Sequence, residues 1–250
     1  MPTFKHAGAS ATKGSNNNNT AFFTGNIAVG DLIVAIGLST TETITYTVSD
    51  GANTYTFHNN ALFVNNVQTF YTVATTARTT GQGVRFDLSG FASISIAAYY
   101  CFSPSPGFSF TSVSPSSTPG QDETSSTTTA ISMTTPYTLP TSCVMVGALM
   151  VRGPNGDAWT EDTSPTTFSS GKSSNGPSIT QGTTGGGATT NMSLRAQWYI
   201  PSAGGSNVTW NPTLGTARDS VGMLSTYYET SGGGGGTVVD PMGMFGIFGI

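Results

Sequence analysis

Two histidines, twelve carboxylates and two cysteines are what this 250-residue chain offers for acid–base, nucleophilic or metal chemistry. His6 lies near the start and His58 stands beside Asn59-Asn60. A serine or cysteine hydrolase needs a base that is held by an acid and within reach of the nucleophile. No Gly-x-Ser-x-Gly elbow occurs, and His58 reads as a rim residue at a strand end. Glycoside hydrolysis needs two carboxyls facing one cleft. Asp157, Glu161 and Asp162 are close in sequence, but they belong to a Gly-Pro-Asn-Gly-Asp loop that reads as solvated. Asn155 and Asp157, with Glu161 and Asp162, are oxygen donors of the kind Ca²⁺ accepts. Their spacing is not that of an EF-hand, and an ordinary turn is the simpler reading. Gly171-Lys172-Ser173 ends like a phosphate loop, yet Thr166 stands where its first glycine belongs. The expectation is a protein without catalytic residues, metal or cofactor.

Composition points the same way. Only 8% of residues are charged, where about 25% is usual. Ser, Thr, Asn and Gln must therefore form the polar surface. With 32 Gly and 13 Pro, they suit strands and turns and are poor helix interiors. The net charge of −4 comes from scattered acids, and phosphate binding needs clustered cations, so nucleic acid is a poor partner. The start, Met-Pro-Thr-Phe-Lys-His, does not read as a secretory leader, and no apolar run approaches the ~18 residues of a membrane span. Cys101 and Cys143 are too few for a disulfide framework. Buried thiols are one reading of them, and a bridge between the two halves is the other.

The elements that must position these residues are strands. Asp31–Leu38 is a β-branched run opened by a Gly-Asp turn. Residues 44–48, 54–57, 67–73, 84–88 and 93–100 alternate or run apolar between turn signals, the pattern of a sandwich. The second half repeats the plan: 142–151 answers 31–38, 195–200 answers 67–73, Val208-Thr-Trp210 answers Val84-Arg-Phe86, and 222–228 answers 94–100. The predicted fold is all-β, two tandem antiparallel β-sandwich domains of jelly-roll or Ig-like type, related by internal duplication and carrying extended termini. The predicted boundaries are a polar arm over 1–20, a first sandwich over 21–111, a Ser/Thr/Pro-rich linker over 112–128 and a second sandwich over 129–231. The second sandwich carries a polar insertion at 168–190. Trp198 and Trp210 fall on strand positions and read as core. Trp159 remains as an aromatic platform and, with Asn155 and Asp157, forms a candidate ligand-contact loop.

Residues 232–250 differ from the rest. Five glycines, Gly232 to Gly236, precede an apolar segment with Pro241, Met242, Met244, Phe245, Ile247, Phe248 and Ile250. Left in water such a segment is an aggregation hazard. It reads as a tether and an assembly element that docks on a neighbouring subunit; an extra strand on its own domain is the alternative.

Thr3-Phe-Lys-His-Ala-Gly, Val29-Gly-Asp-Leu-Ile-Val, Val48-Ser-Asp-Gly-Ala-Asn-Thr-Tyr-Thr, Thr69-Phe-Tyr and Ala97-Ala-Tyr-Tyr100 together resemble tandem β-sandwich structural proteins of bacteriophage virions. The likeness covers residues 3 to 230. It implies a non-enzymatic virion component, assembled in the host bacterial cytoplasm as a homo-oligomer among other capsid or tail proteins. A capsid decoration or cement subunit is the first expectation. A tail or tail-fibre-associated protein, or a receptor and carbohydrate-binding module contacting host-surface glycan, is the alternative. No nucleic acid or membrane partner is implied.

Overall fold

The computed structural model describes residues 1–41, 43–62, 66–111, 121–124, 129–134, 138–139, 142–153, 158–162, 179–181, 191–201, 204–206 and 208–231. Among them the protein is all-β, with several antiparallel sheets and no helix. The first half contributes β1 (Thr3–Phe22), β2 (Leu32–Ser39), β3 (Tyr46–Ser49), β4 (Thr56–Leu62), β5 (Asn66–Val73), β6 (Gly83–Ser103), β7 (Phe108–Thr111) and β8 (Gln121–Thr124). The second contributes β9 (Met133–Thr134), β10 (Thr138–Leu139), β11 (Cys143–Arg152), β12 (Trp159–Thr160), β13 (Ile179–Gln181), β14 (Met192–Tyr199), β15 (Gly205–Ser206), β16 (Thr209–Trp210), β17 (Thr213–Leu214) and β18 (Ser220–Ser231).

Two large sheets organise these strands. One runs β1-β6-β2-β5-β4, with β3 also on β6; the other runs β13-β14-β11-β18-β7, with β8 also on β18. Their central strands β2 and β11 are buried along their whole length, which accounts for their unbroken apolar sequence. Alternation sorts the side chains into two sets. Leu32, Val34, Ile36 and Leu38 meet Val144, Val146, Ala148 and Met150 in one core shared by the two sheets. Ile33 and Ala35 face the opposite way, into a second core with Phe23, Ile44 and Phe86. Met145, Leu149 and Val151 likewise face a third core, with Ile131, Val208, Trp210 and Leu214.

The outer cores are closed by chain that folds back over its own sheet. β6 pairs with β2 through Ser95–Phe102, while its earlier residues Arg85–Leu88 pair with β3. β1 follows it in both layers, with register shifts between Lys13 and Asn18, as a bulged strand does where it bends. In the second half the ribbons β16-β9 and β12-β17 provide the covering residues Met133, Trp210 and Leu214.

Glycine makes both closures fit. A Cβ on Gly37 would lie 2.9 Å from the Phe86 ring, and one on Gly147 would run into the Trp210 ring. Each glycine sits opposite a buried glutamine on the next strand, Gln68 and Gln197 respectively. Each glutamine ties the covering layer down. Gln68 Nε2 donates to the Ile44 carbonyl at 3.1 Å, and Gln197 Oε1 accepts from Trp210 Nε1 at 2.7 Å and from the Asp162 N–H at 3.0 Å.

Several boundaries differ from those expected. Residues 3–20 form most of β1 rather than a free polar arm. Their small side chains carry no clear alternation, and pairing with β6 decides their state. β7 lies inside the expected first domain, and β8 inside the expected linker, yet both pair with β18 of the second half. β13 falls within the expected insertion and pairs with β14. Tyr100 and Tyr227 both face the shared core, whereas Tyr99 faces the second core and Tyr228 packs against the third.

Gly147→Val should destabilise the protein by about 2–3 kcal/mol through overpacking. Trp210→Ala should cost about 3–5 kcal/mol. Urea titration checks both, and a Gly147→Val variant as stable as the parent would contradict the ring-on-glycine contact.

Candidate functional site

The densest gathering of reactive side chains lies at one end of the first sheet. Lys5 is the extra residue of a bulge, because Phe4 pairs with Phe102 and His6 with Cys101. Its Nζ donates to Asp31 Oδ2 at 2.5 Å. The same oxygen accepts the Ala28 N–H at 2.7 Å, Oδ1 accepts the Ser103 hydroxyl at 2.8 Å, and Cys101 Sγ lies 3.9 Å from Oδ2. The Asp31 side chain is 3% exposed. One carboxylate thus joins β1, the turn before β2 and the end of β6. Burial pushes the Cys101 thiol well above its usual range, with the Asp31 charge adding to the effect. A protonated, buried thiol is a poor nucleophile.

His6 lies beside this cluster. Its Nδ1 is 3.0 Å from the Tyr99 hydroxyl, which also accepts the Thr24 N–H at 2.8 Å. Burial lowers the His6 imidazole and raises the Tyr99 phenol. The second half has a comparable brace. Buried Glu229 accepts the Ser105 N–H and hydroxyl and, at 2.7 Å, the Ser142 hydroxyl. Cys143 nearby is also a buried thiol outside any disulfide, pushed up to about 12 by burial and then by the Glu229 charge.

His58 is wedged between the sheets and is not a rim residue. Its ring lies 5.7 Å from that of Tyr71 and 5.0 Å from that of Tyr227, and burial lowers it to about 4. The Thr69 and Ser225 hydroxyls meet at 3.4 Å across the same interface.

Two surface grooves are lined by described residues. One is polar, beside Asp50, Arg85 and Asp87. Its charges are already engaged: Arg85 pairs with Asp87 at 2.6 Å, and Asp50 accepts the N–H groups of Ala52 and Asn53. The other is apolar, about 430 Å³, and is lined by Met1, Pro2, Thr3, Phe4, Trp198 and Ile200. Phe4 and Trp198 stack there at 5.1 Å and 17°.

Of the residues singled out from sequence, Asn155, Asp157 and the segment Pro241, Met242, Met244, Phe245, Ile247, Phe248 and Ile250 lie outside the described residues. Trp159 is half-buried and packs edge-on against Trp210 at 6.5 Å, which leaves it less free to act as a flat platform. Trp198 and Trp210 are core, as expected. No group of three metal-ligating side chains comes together among the described residues. The carboxylate braces were not singled out. The Gly30-Asp31 turn was visible in the sequence, but its partners are far along the chain.

Asp31→Ala should cost about 2–4 kcal/mol, since it strands a buried N–H and a hydroxyl. Lys5→Met should cost under about 1 kcal/mol, because the partly exposed ammonium contributes a screened pair. Equal losses in urea titration would contradict this asymmetry. For His58 the folded value of about 4 lies below the unfolded 6.5. The unfolded chain therefore takes up a proton first, and stability falls as pH drops from about 6.5 towards 4, by up to about 1.4 kcal/mol per pH unit. His58→Phe should bring the urea midpoints at pH 7 and pH 5 closer together; an unchanged gap would refute the wedge.

Comparison with protein-family models, with curated proteins and with solved structures finds no match for the chain.

Proposed function

We propose that the protein is a non-catalytic structural subunit of a bacteriophage virion, of the capsid decoration type, built from two copies of one β-sandwich packed face to face. The observation that carries the structural reading is the use made of reactive side chains. Asp31, Asp50 and Glu229, all buried and each accepting several hydrogen bonds, are spent on bracing strands and turns, and the thiols beside Asp31 and Glu229 are buried and protonated. An acid–base site keeps such groups facing a cleft at a tuned pKa. The duplication is supported by paired details: Gly37 under Phe86 with Gln68 opposite, and Gly147 under Trp210 with Gln197 opposite.

The placement in a virion rests on the sequence resemblance and on the apolar segment after the glycine run. In this reading residues 232–250 hold the subunit to its neighbours, in a homo-oligomer or on another capsid protein. A chain ending at Ser231 should keep its fold by circular dichroism and its urea midpoint, and should lose at least tenfold in incorporation into particles. Normal incorporation of the shortened chain would defeat the reading.

A further inference from the structure

We infer that the apolar groove of Met1–Phe4, Trp198 and Ile200 is the seat of this chain's own C-terminal segment, Pro241–Ile250, laid along it in an extended threefold conformation. The inference goes beyond the assembly reading: it gives the segment a seat on its own subunit, the place from which a neighbour would have to draw it. Two observations lead to it.

The first is reach. Tyr199 and Thr226 lie opposite the same residue, Met145, on either side of β11. β14 and β18 are both antiparallel to β11, so they leave the sheet at the same end, with Ile200 level with Tyr227. Two strand spacings of about 4.8 Å and four residues of about 3.3 Å place Ser231 about 16 Å from Ile200. Gly232 to Gly236 span up to about 17 Å when extended, so the residues beyond them arrive at the groove. A short flexible tether holds its cargo at an effective concentration in the millimolar range, enough for a shallow groove to be filled by the same molecule.

The second is chemistry. After Asp240 the segment has no charged side chain, and glycine recurs at 243, 246 and 249. In a threefold extended helix, with three residues per turn, those glycines form one stripe and Met242, Met244, Phe245, Ile247, Phe248 and Ile250 occupy the other two faces. A bare stripe lets the backbone approach a flat surface, and the stacked rings of Phe4 and Trp198 provide one. Aromatic-lined grooves are the usual receptors for extended threefold segments.

The test places a photo-reactive p-benzoylphenylalanine at position 245 of the full chain and maps its crosslinks by mass spectrometry. Crosslinks within one chain to residues 1–4 or 198–200 are expected, with a yield independent of protein concentration. Ile200→Asp, one residue beyond β14 at the half-buried rim of the groove, should cut that yield at least fivefold while leaving the circular dichroism spectrum unchanged. Crosslinks to other surfaces, crosslinks only between chains, or a yield unmoved by Ile200→Asp would each overturn the inference. The two readings fail separately. Groove crosslinks with normal particle incorporation of the chain ending at Ser231 would sink the assembly role and leave the seat intact. Crosslinks elsewhere with lost incorporation would do the reverse.

Discussion

A strand whose two faces are both apolar must be covered twice, and that requirement organises this protein. β2 and β11 expose nothing along their length. Burying a single Leu, Ile or Val side chain is worth about 1.5–3 kcal/mol, so leaving either face in water is not an option for a domain stable by about 5–15 kcal/mol. The inner faces cover one another. The outer faces recruit whatever chain lies nearest: the bent β1–β6 ribbon in the first half and short two-stranded ribbons in the second. The same end is reached by unlike means, and the glycines under Phe86 and Trp210 mark where the cover comes closest.

Polar groups follow from this layering. Covering both faces of a sheet buries strand ends and turns that a half-exposed sheet leaves wet, and buried N–H groups and hydroxyls need acceptors. At such places Asp31 serves four donor groups, the Cys101 thiol among them, and Glu229 serves three. Gln68 and Gln197 do the same between a sheet and its cover. With so few charged residues in the chain, each buried carboxylate stands out as placed for a specific set of partners rather than as part of a general ionic surface.

Much of the strand content was legible in the sequence, because it lies in short-range patterns. The apolar runs of β2 and β11 and the alternation of β3, β5, β14 and β18 are local signals. β1 was not legible: Ala7-Gly-Ala-Ser-Ala-Thr12 has side chains too small to declare a face, and only its pairing with β6 makes it a strand. The packing of one half on the other was hidden for a different reason. An apolar run says that both faces are buried and is silent on what buries them. His58 shows the cost of that silence. A histidine at a strand end looks the same in sequence whether it meets water or Tyr227 of the opposite sheet.

The shared core also has a history in time. The strands that build its first wall are complete at Ser103, while the opposing wall is finished only at Ser231. At 5–20 residues per second, the roughly 130 residues between them take about 6–25 s to synthesise. For that interval Leu32, Val34, Ile36, Tyr100 and Phe102 form a bare apolar plane on a nascent chain. The newborn first half is thus a sticky surface awaiting its second, and crowding of ribosomes on one message places many such surfaces side by side before any of them is covered.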